Sequence, residues 1–441
     1  MQIQSVLTRH FMLSAIQLAS LAASLFSQIL LARRIGPGSE LDLYFAAFGF
    51  ATAFVGCAGV AATYLVPAHI LQQKSLHLDV RLTAGSCLVA LGLAAVTLAA
   101  VSAAIFLPGI GFMASFQSLA DLSLIITLCW ISALAAVLVA VFSAMGSAYQ
   151  WVEWPMGLAM LAPLAVVGSL LWPGKVSVAT MAAAQCAGIV VQAVALAVLL
   201  RQHWSVRAVT VAATRSVLRM VPLAAVGGLC FSGYSAIDAM LAPWLGEGVM
   251  SHQALAQRLV IAFGAVVSAG PFMLAPSRLA SPQSVKERLD AWRYLLATSM
   301  AMCGVAWLTA ALTPVFARPL VGLMFQGGAF SAADGDAVAR FLTYLLMGAG
   351  PMLATAVVFR FLHGLGRQQE VASISCAWLA LYGSLGWALK GMLGSSVLSI
   401  SYSTSWLVIG VVALARARWL LRAHLGPLPP LNPTTDEKKS S

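Results

Sequence analysis

A chain of 441 residues that is 61% hydrophobic and 9% charged cannot present a water-facing surface, which ordinarily carries charge at about a quarter of its positions. Spanning helices of about 20 apolar residues, twelve in all, account for most of that content and leave little for a soluble domain. The net charge of +11 is dispersed between apolar runs instead of gathered into a stripe, which excludes a nucleic-acid binder and reads as a topology signal.

The first apolar run, 11–32, is too long for a signal-peptide core, lacks a small-x-small cleavage site and is followed by Arg33 and Arg34, so it is read as a retained first span. Charged and Gly/Pro clusters then delimit spans near 43–66, 82–107, 122–145, 155–172 and 177–200. The stretch 201–219, with Arg201, Arg207, Arg215 and Arg219, is predicted to link two halves. Six more spans follow near 217–243, 253–277, 294–316, 338–359, 371–389 and 395–415. Between the ninth and tenth, 318–336 contains a Gln326-Gly327-Gly328 turn and is predicted to hold a short amphipathic helix on the membrane surface. Continuous hydrophobicity of this length means helices, because backbone groups in hydrocarbon must be satisfied within their own segment. The fold class predicted is therefore an all-α polytopic membrane protein with about 12 spans. Its organisation is an N-terminal six-helix lobe (1–205), a C-terminal six-helix lobe (206–425) and a disordered, Pro-rich tail (426–441).

Lys and Arg sort onto alternate loops when both termini are placed in the cytoplasm. Arg33, Arg34, Lys175, Arg318, Arg340 and Lys390 fall outside, Arg258 falls within a span, and the rest of the 25 fall inside. Leu31-Ala32-Arg33-Arg34-Ile35-Gly36-Pro37-Gly38 is echoed by Leu241-Ala242-Pro243-Trp244-Leu245-Gly246-Glu247-Gly248, and Phe142 and Gly146 by Leu362 and Gly366. Two copies of an even number of spans are related by an axis along the membrane normal, with a central cleft between them.

Polar residues inside spans are costly in hydrocarbon and face a cavity or a partner helix. Gln17, Ser20, Ser24, Ser27 and Gln28 recur at three- and four-residue steps on one face of the first span. They serve either as glue between helices or as the lining of a hydrophilic cleft. Asp238 and Arg258 lie on consecutive spans at about 10 Å depth from a shared outside turn. They form either a structural ion pair or an anion site in which Asp238 orients a phosphate-binding guanidinium. Asp42 is a gate contact or an interfacial residue.

The seven cysteines sit singly in apolar runs, so no disulfide, metal or cofactor site is predicted. No nucleophile elbow, nucleotide loop or metal-spaced histidine pair occurs. Asp334 and Asp336 read as helix-start or solvated residues. An enzyme is disfavoured, although a membrane-embedded glycosyltransferase or acyltransferase is the enzymatic alternative.

The segment Ala32–Gly38, continuing through Asp42, Tyr44, Phe45 and Phe48, resembles the first helix-loop-helix of the MurJ (MviN-like) lipid II flippases. The same holds for Ile237-Asp238 with Leu241-Ala242 and Leu245, and for Ala256-Gln257-Arg258-Leu259. Arg318–Val321, Phe325–Ser331 with Asp334, and Phe361–Gly366 complete the resemblance, which runs from about residue 10 to about 370. It implies the MOP (multidrug/oligosaccharidyl-lipid/polysaccharide) exporter fold, two six-helix lobes around a cavity that alternates between membrane faces. It also implies a polyprenyl-diphosphate-linked sugar as cargo, gripped by cavity arginines. Of those arginines only Arg258 is present, with Leu21, Ser27 and the uncharged 54–56 at the other positions and Gln257 where an acid is usual. The two further C-terminal helices of typical lipid II flippases are not expected. These departures point to a divergent relative that moves another lipid-linked glycan, for exopolysaccharide, capsule or O-antigen assembly.

The mechanism so implied is entry of the head group from the cytoplasm, with the prenyl tail left in the lipid bilayer, followed by rocking of the lobes. The candidate cavity residues are Arg258, Asp238, Gln257, Gln17, Ser20, Ser24, Ser27 and Gln28. Arg33 and Asp42 are the candidate gate residues in the outer loop. Two rivals are an ion-coupled exporter of amphipathic small molecules and a non-transporting scaffold that recruits glycan-assembly enzymes.

Overall fold

The computed structural model describes residues 2–75, 80–113, 119–149, 151, 153–174, 176–205, 211–228, 232–279, 285–365 and 367–423. In chain order its helices are α1 (Gln2–Arg34), α2 (Ser39–Ser75), α3 (Val80–Met113), α4 (Leu119–Ala148), α5 (Glu153–Leu158), α6 (Leu161–Leu171) and α7 (Val178–Leu199). They continue with α8 (Val211–Gly227), α9 (Tyr234–Leu241), α10 (Val249–Leu279), α11 (Val285–Phe325), α12 (Ala332–Gly364), α13 (Gln368–Leu393) and α14 (Val397–Ala423). Among the described residues there is no β-strand, only an isolated bridge between Gly327 and Phe330.

Nine stretches of the described residues are long and apolar enough to cross a membrane. One of them, Gln368–Arg422, contains both α13 and α14. Adding α10, which carries Gln257 and Arg258, and the α8–α9 pair, whose helices of 17 and 8 residues are each short, gives the twelve-span organisation.

Three local features differ from expectation. The fifth span is broken into α5 and α6 by a turn at Ala159 and Met160, and the seventh into α8 and α9. The predicted surface helix within 318–336 does not exist as a separate element. Instead α11 runs on to Phe325, a tight turn follows, and α12 starts at Ala332 behind a capping box in which Ser331 and Asp334 bond reciprocally. Arg215 and Arg219, assigned to a linker, lie on α8. The predictions for Cys230, Lys175, Arg207, Gly366 and the tail 426–441 lie outside the described residues.

Two apolar cores fill the molecule. In the first, α2 packs on α3 and α4, and α7 on α4 and α6; in the second, α12 packs on α10, α11 and α14. Small residues bring backbones together, as expected where lipid removes the hydrophobic drive for helix association. A Cβ on Gly188 of α7 would lie 2.5 Å from the Cα of Ala162, and one on Gly348 of α12 would lie 2.6 Å from the Cα of Ser403. Large apolar side chains such as Val191, Val194, Leu312, Val315 and Val411 point outward, where hydrocarbon solvates them. Among the described residues six cysteines are free, and Cys57, Cys87, Cys129 and Cys186 are buried packing residues. Between the two cores runs a seam, because α8 and α9 pack on α2 as well as on α13.

Candidate functional site at the seam between the lobes

The end of the seam nearest the α1–α2 loop is held by hydrogen bonds between first-lobe and second-lobe groups. Asp42, in the first turn of α2, reaches the start of α10: the N–H of Gly248 donates to its Oδ2 at 2.6 Å and the N–H of Ser251 to its Oδ1 at 2.7 Å. The Ser251 hydroxyl donates to the same Oδ1. A carboxylate at a helix start satisfies N–H groups that the helix itself leaves free and meets the positive end of its dipole. The Ser39 N–H donates to Glu247 Oε1 at 3.0 Å. Arg33 contributes twice, its carbonyl accepting from the Ala329 N–H at 2.8 Å and its Nη2 donating to the Leu323 carbonyl at 3.0 Å. Its Nε is buried with no partner. Gly328, at φ +61, lies so close that a Cβ there would be 2.1 Å from the Arg33 carbonyl oxygen, so only glycine fits this contact.

Further along the seam, α9 lies directly on α2. The Ser235 hydroxyl is 2.8 Å from the Gly49 carbonyl and the Ser232 hydroxyl 3.2 Å from that of Ala53. At the end of α8, a Cβ on Gly228 would lie 2.7 Å from Val60 Cγ1.

Asp238 is buried on α9 and belongs to the interior of the second lobe. Gln257 Nε2 donates to its Oδ2 at 3.0 Å and the Tyr382 hydroxyl donates to its Oδ1. The Asp238–Arg258 pair that the spacing allowed does not form, and among the described residues no ion pair joins them. The reason is rotational. Gln257 and Arg258 are neighbours on α10 and point about 100° apart, so when Gln257 turns inward to Asp238, Arg258 turns elsewhere.

Arg258 is half-buried. Seven residues on from Ser251, which bonds Asp42, it lies on the face of α10 that meets α2, which puts it at the seam. Among the described residues the other half-buried cations have partners: Arg33 the Leu323 carbonyl, Lys390 the rings of Trp387 and Trp244, and Arg416 the carboxylate of Glu370. Among the described residues Arg258 makes no hydrogen bond, no ion pair and no contact with an aromatic ring. An unpaired guanidinium at this depth is expensive to keep and is suited to an anion with several oxygens.

The polar face of α1 does not converge on Arg258 through any hydrogen bond among the described residues. Gln17 is exposed, Ser20 and Ser24 are half-buried, and the hydroxyl of buried Ser27 donates to the Ser24 carbonyl at 2.7 Å. The Gln28 Oε1 is buried without a partner. Sequence reasoning missed Tyr382, the bond that Tyr44 donates to Gln185 on α7, and the bond that Ser399 donates to Gln253 at 2.7 Å. The usable signal was the presence of Tyr and Gln inside apolar runs, where each must find a partner.

No protein-family model matches the chain, and no curated protein matches it by sequence. Solved structures do. The lipid II flippase MurJ in an inward closed conformation aligns with a TM-score of 0.72 at 17% identity, over 92% of this chain and 87% of that one. An inward-facing multidrug resistance MATE family transporter of the MOP superfamily aligns at 0.65 and 14%, over 94% and 98%. A MOP superfamily transporter from Pyrococcus furiosus, described by the reverse polarity of its binding pocket, aligns at 0.62 and 14%, over 93% of each chain. The chain therefore has the two-lobe fold that MurJ, the MATE transporters and the MOP superfamily share.

Proposed function

We propose that the protein is a flippase that carries a polyprenyl-diphosphate-linked oligosaccharide across the cytoplasmic membrane by alternating access of two lobes, 1–205 and 206–425. In this reading both termini are cytoplasmic, the α1–α2 loop end of the seam is the outer gate, and that gate is shut. The head group enters from the cytoplasm, the prenyl tail stays in lipid, and separation of the lobes at Asp42 and Arg33 releases the sugar outside. One observation carries the proposal: Arg258, alone among the half-buried cations described, has no hydrogen-bond, ion-pair or aromatic-ring partner, and it lies on the face of α10 that meets α2. A fixed cation favours a phosphate-bearing head group over the amphipathic cations of a drug exporter.

The test is flipping in vesicles. Full-length protein is reconstituted with a fluorescent polyprenyl-diphosphate disaccharide, and label reaching the far leaflet is read by quenching. Arg258→Ala is expected to abolish flipping while inserting and melting as the parent does. Flipping at the parent rate in this variant would remove the proposal's basis, and export of an amphipathic cation in place of the glycolipid would establish the rival.

A further inference from the structure

Arg258 is presented to α2 only because α10 is turned in one particular way, and a second set of contacts on another side of the helix fixes that turn. At about 100° per residue, Arg258 returns to within about 20° of the direction of Ser251, whereas Gln253 and Gln257 point about 100–140° away from it, into the second lobe. There Gln257 Nε2 donates to Asp238 Oδ2 on α9 at 3.0 Å, and the Ser399 hydroxyl on α14 donates to Gln253 Oε1 at 2.7 Å. Asp238 is itself held fast: it is buried, and the Tyr382 hydroxyl on α13 donates to its Oδ1. The Tyr382 ring is locked in turn, with the rings of Trp378 at 5.4 Å and Tyr402 at 5.9 Å. Thus α10 is pinned on two sides, by Asp42 through Ser251 and by Asp238 and Ser399 through the two glutamines. Only the first pin crosses between the lobes.

We infer that Asp238 is a positioning residue for cargo binding: acting through Gln257, it sets the rotation of α10 and keeps the Arg258 guanidinium turned to the seam after the Asp42 contact is broken. This rests on the flippase reading above and adds to it the group that orients the cation. Separation of the lobes removes the Asp42 pin, whereas Asp238, Gln257, Tyr382, Gln253 and Ser399 all lie in the second lobe, so their bonds need not break. The order of two adjacent residues is decisive. An arginine at position 257 would meet the Asp238 carboxylate and spend its charge there. With glutamine in that place the carboxylate takes neutral donors, and the cation one position on stays free for an anion with several oxygens.

The test is the KM and maximal rate of flipping of the vesicle-borne polyprenyl-diphosphate disaccharide by full-length protein. Gln257→Leu keeps Arg258 and removes its anchor; KM is expected to rise about tenfold, the worth of one hydrogen bond to a charged group, with the maximal rate little changed. Asp238→Asn still accepts from Tyr382 and pairs with the Gln257 amide once that amide turns over, so KM should stay within about twofold of the parent. A parent-like KM in Gln257→Leu, or a KM raised as far in Asp238→Asn as in Gln257→Leu, overturns the inference and leaves the flippase reading standing. Where Gln257→Leu does not fold, the exchanged pair Gln257→Arg/Arg258→Gln takes its place. It is expected to melt as the parent does and to lose flipping, and flipping at the parent rate overturns the inference. Failure of the parent protein to flip the glycolipid, or parent-rate flipping by Arg258→Ala, overturns both readings.

Discussion

Replacing Asp42 by alanine removes three acceptor contacts that join the lobes, two from backbone N–H groups and one from a hydroxyl. Losing a cap costs about 1 kcal/mol, and losing the negative charge at a partly buried helix start costs up to about 2 kcal/mol. Water entering the vacated space recovers part of this, so the closed seam loses about 2 kcal/mol, about thirtyfold in its ratio to the open form. Spin labels at positions 40 and 244, one on each side of the seam, would read the change as growth of a longer-distance population in full-length protein. Asp42→Asn keeps an acceptor oxygen and the shape, and should fall between parent and alanine variant. The substitution leaves both apolar cores intact, so the melting temperature should move little. An unchanged distance distribution in Asp42→Ala would refute the idea that this carboxylate latches the gate.

Gly328→Ala should shift the same labels in the same direction, because its Cβ would meet the Arg33 carbonyl oxygen at 2.1 Å and the adjoining Ala329–Arg33 bond must break. Tyr382→Phe leaves buried Asp238 with one donor fewer and should cost about 1–3 kcal/mol, seen as a lower melting temperature with the gate distance unchanged. Arg318→Ala breaks an ion pair to Asp336 at 2.9 Å whose partners are 72% and 54% exposed. Its effect on melting should stay below about 0.5 kcal/mol.

The fold was legible because lipid leaves few alternatives: long apolar runs must be helices, and the spacing of charges located their ends. What could not be read was how a helix breaks or continues. The run of α11 through Pro314 and Pro319 to Phe325 contradicts the local rule that proline ends helices. At the site, residue identities were easier to find than partners. Asp238 and Arg258 stand out in any sequence reading as ionisable groups in apolar spans. Which of two adjacent side chains, Gln257 or Arg258, turns toward Asp238 depends on the rotation of α10, which no linear spacing encodes. Asp42 likewise looks like the first-turn acid of its own helix and is in fact the cap of another.

At the 210-residue offset that aligns the two loops, Asp42 corresponds to His252. The acid reaches into the opposite lobe, whereas the histidine stays at home, its Nε2 2.9 Å from Asp334 Oδ1 at the head of α12. The two positions thus do different work at one place: the carboxylate joins the start of α10 to α2, and the imidazole joins it to the head of α12.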